Sequence, residues 1–192
     1  RIVENLVANG QPAFNPGDLF KASSATGYVL LLAALSPVLG TLTAIKVVQA
    51  VALVATMVVA AVLVRAAPTN RLFAAFALLG AAPMVLMSAY LGMETTIVAA
   101  LMLSAALAVQ RGSLGRAIVL SAFATWFRIE VMLLVVLLVG WAIVRERRGA
   151  IILYVWPVVV LLAIDLYLYG QIKPHGAGAK SLAYGHHWDD SI

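Results

Sequence analysis

The sequence has no cysteine and very little charge. Without cysteine there are no disulfides, no thiolate metal sites and no cysteine nucleophile. Charged residues make up only 11% of the 192 positions, against about 25% in an average soluble chain. No P-loop, GxGxxG, HExxH or serine nucleophile elbow is present. What fills the chain instead is apolar: 64% of residues are hydrophobic and the mean hydropathy is +1.02. The apolar runs lack the period-2 alternation of a barrel strand, which leaves helices as the way to satisfy backbone hydrogen bonds in lipid. These features predict an all-α, polytopic membrane protein. The net charge of +5 then reflects loop lysines and arginines that set orientation, not a nucleic-acid surface.

Breakers and charges divide the chain. Residues 1–10 read as a short amphipathic helix closing at Gly10, and Asn15-Pro16-Gly17 as a tight turn. Residues 23–40 are apolar but short, with Pro37 inside and Gly40 at the end, and read as a re-entrant or juxtamembrane helix. Crossings are expected over 41–64, 72–90, 94–110, 117–127, 131–144 and 151–169. That is about six transmembrane helices against the ~20 residues a bilayer asks for; 117–127 and 131–144 are short for spans, which calls for local thinning, snorkelling arginines or burial among other helices. The resulting organisation is an extracytoplasmic loop over 1–40, a transmembrane helical domain over 41–169, and a second extracytoplasmic loop from 170 to 192.

Arginine placement gives the orientation. Arg65, Arg71, Arg111, Arg116, Arg145, Arg147 and Arg148 all fall on alternate loops, and the positive-inside rule makes that set cytoplasmic. Parity holds only if residues 23–40 do not cross. The outer side then gathers Asn5, Asp18, Glu94, Arg128, Glu130, Asp165, Lys173, Lys180 and the tail His186-His187-Trp188-Asp189-Asp190.

Glu94 and the pair Arg128 and Glu130 interrupt long uncharged stretches. A buried unpaired carboxylate costs several kcal/mol, so such residues face a partner or a watery cavity. Placing them at turns on one face spares both and predicts a polar site there, with Arg128 compensating at least one carboxylate. Glu94 also reads as a plain first-turn acid that complements a helix dipole. Arg128 and Glu130 also read as a polar turn, and Lys173 and Lys180 as ordinary interfacial lysines. The tail histidines have no recognisable ligand spacing. No metal site is assigned; a divalent metal is compatible with the sequence but not indicated by it.

Several fragments, taken in order, resemble the polytopic GT-C glycosyltransferases, and more narrowly the group around the actinobacterial cell-wall arabinofuranosyltransferases. They are Arg1-Ile2-Val3-Glu4-Asn5 through Gly10, Phe14-Asn15-Pro16-Gly17-Asp18, Gly27-Tyr28, Gly92-Met93-Glu94-Thr95, Arg128-Ile129-Glu130, Tyr169-Gly170, Pro174 and Ala179-Lys180. Ile129 stands where the family has proline, and His175-Gly176 where it has Asn-Thr. The resemblance implies a GT-C-like fold in the plasma membrane. It implies transfer of a sugar from a polyprenyl-phosphate-linked donor to a glycan or lipid acceptor of the cell envelope, without a cofactor. It also implies substrate-binding roles for Asn5, Glu94, Arg128, Glu130 and Lys180. In that family the acidic general base precedes the segment matching Arg1, so the base is expected upstream and the chain reads as part of a longer protein. The competing class is a transporter or permease segment, whose charges cluster at discontinuous helices near the membrane midplane. A structural membrane subunit is a third reading.

Overall fold

The computed structural model describes residues 2–10, 12, 25–66, 71–146 and 154–169, and every regular element among them is helical. The apolar runs coil because a helix satisfies its own backbone, and glycines mark where the coils stop. Helix α1 (Ile2–Asn9) closes at Gly10, and α2 (Thr26–Leu39) at Gly40, both with positive φ. Then follow α3 (Thr41–Ala66), α4 (Arg71–Tyr90), α5 (Thr95–Gln110) and α6 (Leu114–Ala124). A 3₁₀ turn over Ile129–Val131 leads into α7 (Met132–Glu146), and α8 (Trp156–Tyr169) completes the bundle.

Helix α5 is central, packed between α3 and α6 with α4 alongside; α7 and α8 lie against α6, while α2 lies on α3 and α1 on α2. Helices α3 and α5 run in the same direction, because Gln49 meets the carbonyl of Met93 and Thr56 that of Thr96. Ile45 also lies against Gly92 in the α4–α5 turn, so the first turn of α3 projects past that turn by about 6 Å at 1.5 Å per residue. Helix α2 folds back along this projection. Its C-terminus joins the start of α3, and its N-terminus returns to the level of Gln49, where Tyr28 accepts a hydrogen bond from that side chain.

Small residues line much of the helix seams, beside larger core side chains such as Leu32, Ile118, Val135 and Leu161. Between the helices lie Ala44, Ala52, Ala105, Ala117, Ala122 and Ala142, together with Thr56, Thr96 and Ser121. Small residues let helix backbones approach closely. Facing outward are Met57, Met84, Leu133, Val136, Val144 and Val159, all exposed. A soluble bundle buries most side chains of this second kind.

Helix lengths differ from the sequence expectation of about six crossings, for which a bilayer asks ~20 residues each. Among the described residues, α3 alone, at 26 residues, is long and apolar enough to cross a membrane. Helices α5, α6, α7 and α8 have 16, 11, 15 and 14 residues. The reason is local. The stretch 117–127, read as one rising segment, begins as helix at Leu114 and ends at Ala124, and residues 125–128 go into a turn.

Candidate functional site

One end of the bundle carries two turns, and each is fixed before it presents a charged side chain. In the α4–α5 turn the N–H of Met93 donates to Ser88 O at 2.9 Å and that of Gly92 to Ala89 O at 3.2 Å. With Gly92 at φ 70°, this is a Schellman cap. Tyr28 Oη donates to Gly92 O at 2.7 Å, and Gln49 Nε2 donates to Met93 O at 2.9 Å and to Tyr28 Oη at 3.1 Å. Burial raises the Tyr28 phenol above its ordinary value, with the Gln49 hydrogen bond opposing and the charge of Glu94 adding to the rise. The phenol therefore stays protonated and keeps its donor role toward Gly92.

Glu94 stands at the N-cap position of α5 in helical conformation, and its side chain caps nothing. Its carbonyl accepts from the N–H groups of Ile97 and Val98, and its carboxylate is left for another partner.

That partner stands on the α6–α7 turn. Thr125 Oγ1 donates to Ala122 O at 2.6 Å, and Trp126 Nε1 to Pro157 O at 2.8 Å. Gly27 N donates to Trp126 O at 2.7 Å, so a first-turn N–H of α2, which has no partner within its own helix, is satisfied by the turn. Arg128 follows in extended conformation, its N–H bonded to Ala124 O and its carbonyl accepting from Val131 N. Its Nε donates to Glu94 Oε1 at 3.3 Å, with side chains 39% and 18% exposed. Glu130, two residues on, is exposed.

Beside the pair lies a second polar cluster that the sequence did not single out as a site. Asp165, one turn from the end of α8, is 3% exposed, and Thr26 Oγ1 donates to its Oδ1 at 2.7 Å. Tyr169, also buried, closes the cluster against Thr26 and Asp165. The sequence places Asp165 on the outer side, as an interfacial residue more than a catalytic one, and its visible signal is a lone carboxylate in an otherwise apolar helix. Gln49, Thr26 and Trp126 carried no signal, being ordinary residues in apolar runs.

The structure thus brings Glu94 and Arg128 together and leaves Glu130 at the rim. Asn5 is half-buried on α1, which packs on α2. Lys180, Lys173, Asp18 and the tail His186 to Asp190 lie outside the described residues. Among the described residues no group of acids and histidines is arranged to hold a metal ion. A groove of about 340 Å³ between α3, α4 and α5, lined by Leu53, Met57, Val85, Leu86 and Met102, presents only apolar surface and lies on the flank, away from the pair. No family model matches the chain, and no curated protein or solved structure is similar to it.

Proposed function

We propose that this chain is part of a polytopic, GT-C-type membrane glycosyltransferase. It would hold a polyprenyl-phosphate-linked sugar at the outer face of the plasma membrane, for transfer to a cell-envelope glycan or lipid acceptor. One observation carries the reading. Four segments on which the resemblance rests are far apart in sequence yet meet at one end of the bundle. Gly27-Tyr28 binds both turns, Gly92-Met93-Glu94 supplies the carboxylate, Arg128 pairs with it, and Tyr169 closes the neighbouring cluster.

The outward-facing Met, Leu and Val side chains support the membrane setting, since an apolar surface of that extent needs lipid as its solvent. Several of the expected spans form short helices, which lipid accommodates by local thinning or by neighbouring helices. The chemistry is also coherent: a lipid phosphate is already a leaving group, so the site needs cations for the departing phosphate and a base for the acceptor hydroxyl. Arg128 is of the first kind.

Membranes containing the chain with any natural flanking sequence, given radiolabelled polyprenyl-phosphate-linked sugars, test the reading. Label in an envelope glycan or lipid is the expected result, and Arg128→Gln should reduce it. Uptake of substrate into liposomes with no transfer would assign the chain to the transporter class instead.

A further inference from the structure

We infer that Asp165, a buried carboxylate on α8, positions the Glu94–Arg128 pair indirectly, through a clip formed by the first turn of α2. The inference is independent of the proposed reaction, because it concerns how two turns are held and not what they bind.

Three consecutive residues of α2 each bond a different element. Thr26 Oγ1 donates to Asp165 Oδ1 on α8, Gly27 N to Trp126 O on the α6–α7 turn, and Tyr28 Oη to Gly92 O on the α4–α5 turn, each at 2.7 Å. Successive helix residues step by about 100° around the axis and 1.5 Å along it. One turn of helix therefore reaches three neighbours at one level. Because the three donors share so short a piece of backbone, none of the bonds can shift alone. Gly27 is also in backbone contact with its turn, since a Cβ there would lie 2.6 Å from Trp126 Cβ.

The three anchors differ in kind. Gly92 and Trp126 belong to turns, whose backbone has few bonds of its own, whereas Asp165 lies inside a helix that is fixed by its ladder. Helix α8 is also docked by apolar packing, Val158 against Ala122 and Val135, so it does not need the carboxylate to stay in place. Thr26 and Asp165 are 2% and 3% exposed, which keeps water from competing for the bond. Helices α2 and α8 have little other contact, so packing does not duplicate it. The same helix holds the Trp126 indole through Pro157 O at 2.8 Å. Helix α8 is thus the frame, the first turn of α2 the clip, and the two turns that present Glu94 and Arg128 are what it holds.

Amide hydrogen exchange tests the relay, read residue by residue on the chain with any natural flanking sequence in detergent micelles. The Gly112 turn, at the other end of α5, is the control, since no bond from α2 reaches it among the described residues. Thr26→Val removes the hydroxyl and keeps the shape. It should speed exchange about tenfold at both Met93 and Arg128, the size of a lost buried hydrogen bond, and leave Gly112 and Ser113 within about twofold. Asp165→Ala should do the same. Asp165→Asn, whose amide oxygen still accepts from Thr26, should restore most of the protection. Tyr28→Phe should loosen Met93 alone, because Gly27 still holds the other turn.

The decisive reading is the double variant: in an Asp165→Ala background, Thr26→Val should add nothing at either turn, because both changes remove one bond. Faster exchange everywhere, Gly112 and Ser113 included, would make the bond a contribution to overall stability and overturn the inference. Faster exchange confined to α8, or native rates at both turns, would overturn it as well. If Asp165→Ala does not fold, Thr26→Val alone decides by the same pattern of Met93 and Arg128 against Gly112 and Ser113.

Discussion

The turns at Gly92 and Gly112 are the same local structure put to different use. Gly112 N donates to Val109 O at 2.9 Å and Ser113 N to Ala108 O at 2.8 Å, the bonds that Gly92 and Met93 make one helix earlier. Both glycines have φ near 70°, at 70° and 73°. Around Gly112 nothing lies within 4 Å of where a Cβ would be, whereas at Gly92 the methyl Cγ2 of Ile45 lies at 2.9 Å. Tyr28 and Gln49 bond the backbone of the Gly92 turn and have no counterpart at the Gly112 turn among the described residues. One turn only reverses the chain; the other is locked into α2 and α3, and it is the locked one that presents Glu94. A Schellman cap by itself says where a helix ends, and tertiary contacts decide whether the residue after it is placed.

The largest break in this contrast should come from Gly27, which holds the other locked turn. A Cβ there meets Trp126 Cβ at 2.6 Å and Trp126 O at 2.9 Å. One of these is backbone and cannot swing aside, so Gly27→Ala should destabilise the bundle by about 2–3 kcal/mol, at the upper end of overpacking costs. Unfolding in mixed SDS micelles would measure it. A change under half a kcal/mol would mean that α2 yields freely and does not lock the turns.

Next in size is the direct comparison of the two turns. Gly112→Ala adds only left-handed strain, about 1–2 kcal/mol. Gly92→Ala adds the same strain and a clash with Ile45, so it should cost roughly 1 kcal/mol more. Measured within an Ile45→Ala background, Gly92→Ala should cost only the strain, because the clashing methyl is gone. Equal costs for the two glycines would make the locking of the Gly92 turn energetically empty.

The same contrast explains what was legible in the sequence. The all-α class followed from apolar runs without alternation, and Gly10, Gly40, Gly92 and Gly112 marked the helix ends because each needs positive φ. Helix length was less legible. Residues 125–128 are as apolar as a helix interior up to Phe127, and only the contacts of Trp126 with Pro157 and Gly27 draw them into a turn. At the site, Glu94 and Arg128 stood out because charge is scarce around them. Asp165 stood out in the same way but its partner Thr26 did not, since what joins them is a hydrogen bond between residues 139 positions apart. Gln49 was hidden for the same reason: it reads as a stray polar residue until Met93 and Tyr28 are placed beside it.

The smallest effect on stability should come from the charged pair itself. Arg128 and Glu94 are partly solvated, and a pair of that kind contributes about 0–1 kcal/mol to folding, less as salt rises. A double-mutant cycle with Arg128→Gln and Glu94→Gln should therefore give a coupling in that range by unfolding. The locked turns should survive it, because they are held by Tyr28, Gln49 and Gly27 and not by the ion pair. The same two changes should part company in binding: Arg128→Gln should weaken binding of a polyprenyl phosphate strongly, while Glu94→Gln keeps an acceptor for Nε and weakens it little. A pair that mattered only as a clamp between the turns would show the reverse pattern, a coupling well above 1 kcal/mol in unfolding and no difference between the two variants toward the ligand. Unfolding and binding measured on the same four proteins thus decide whether the locked turns exist to hold the pair, or the pair to hold the turns.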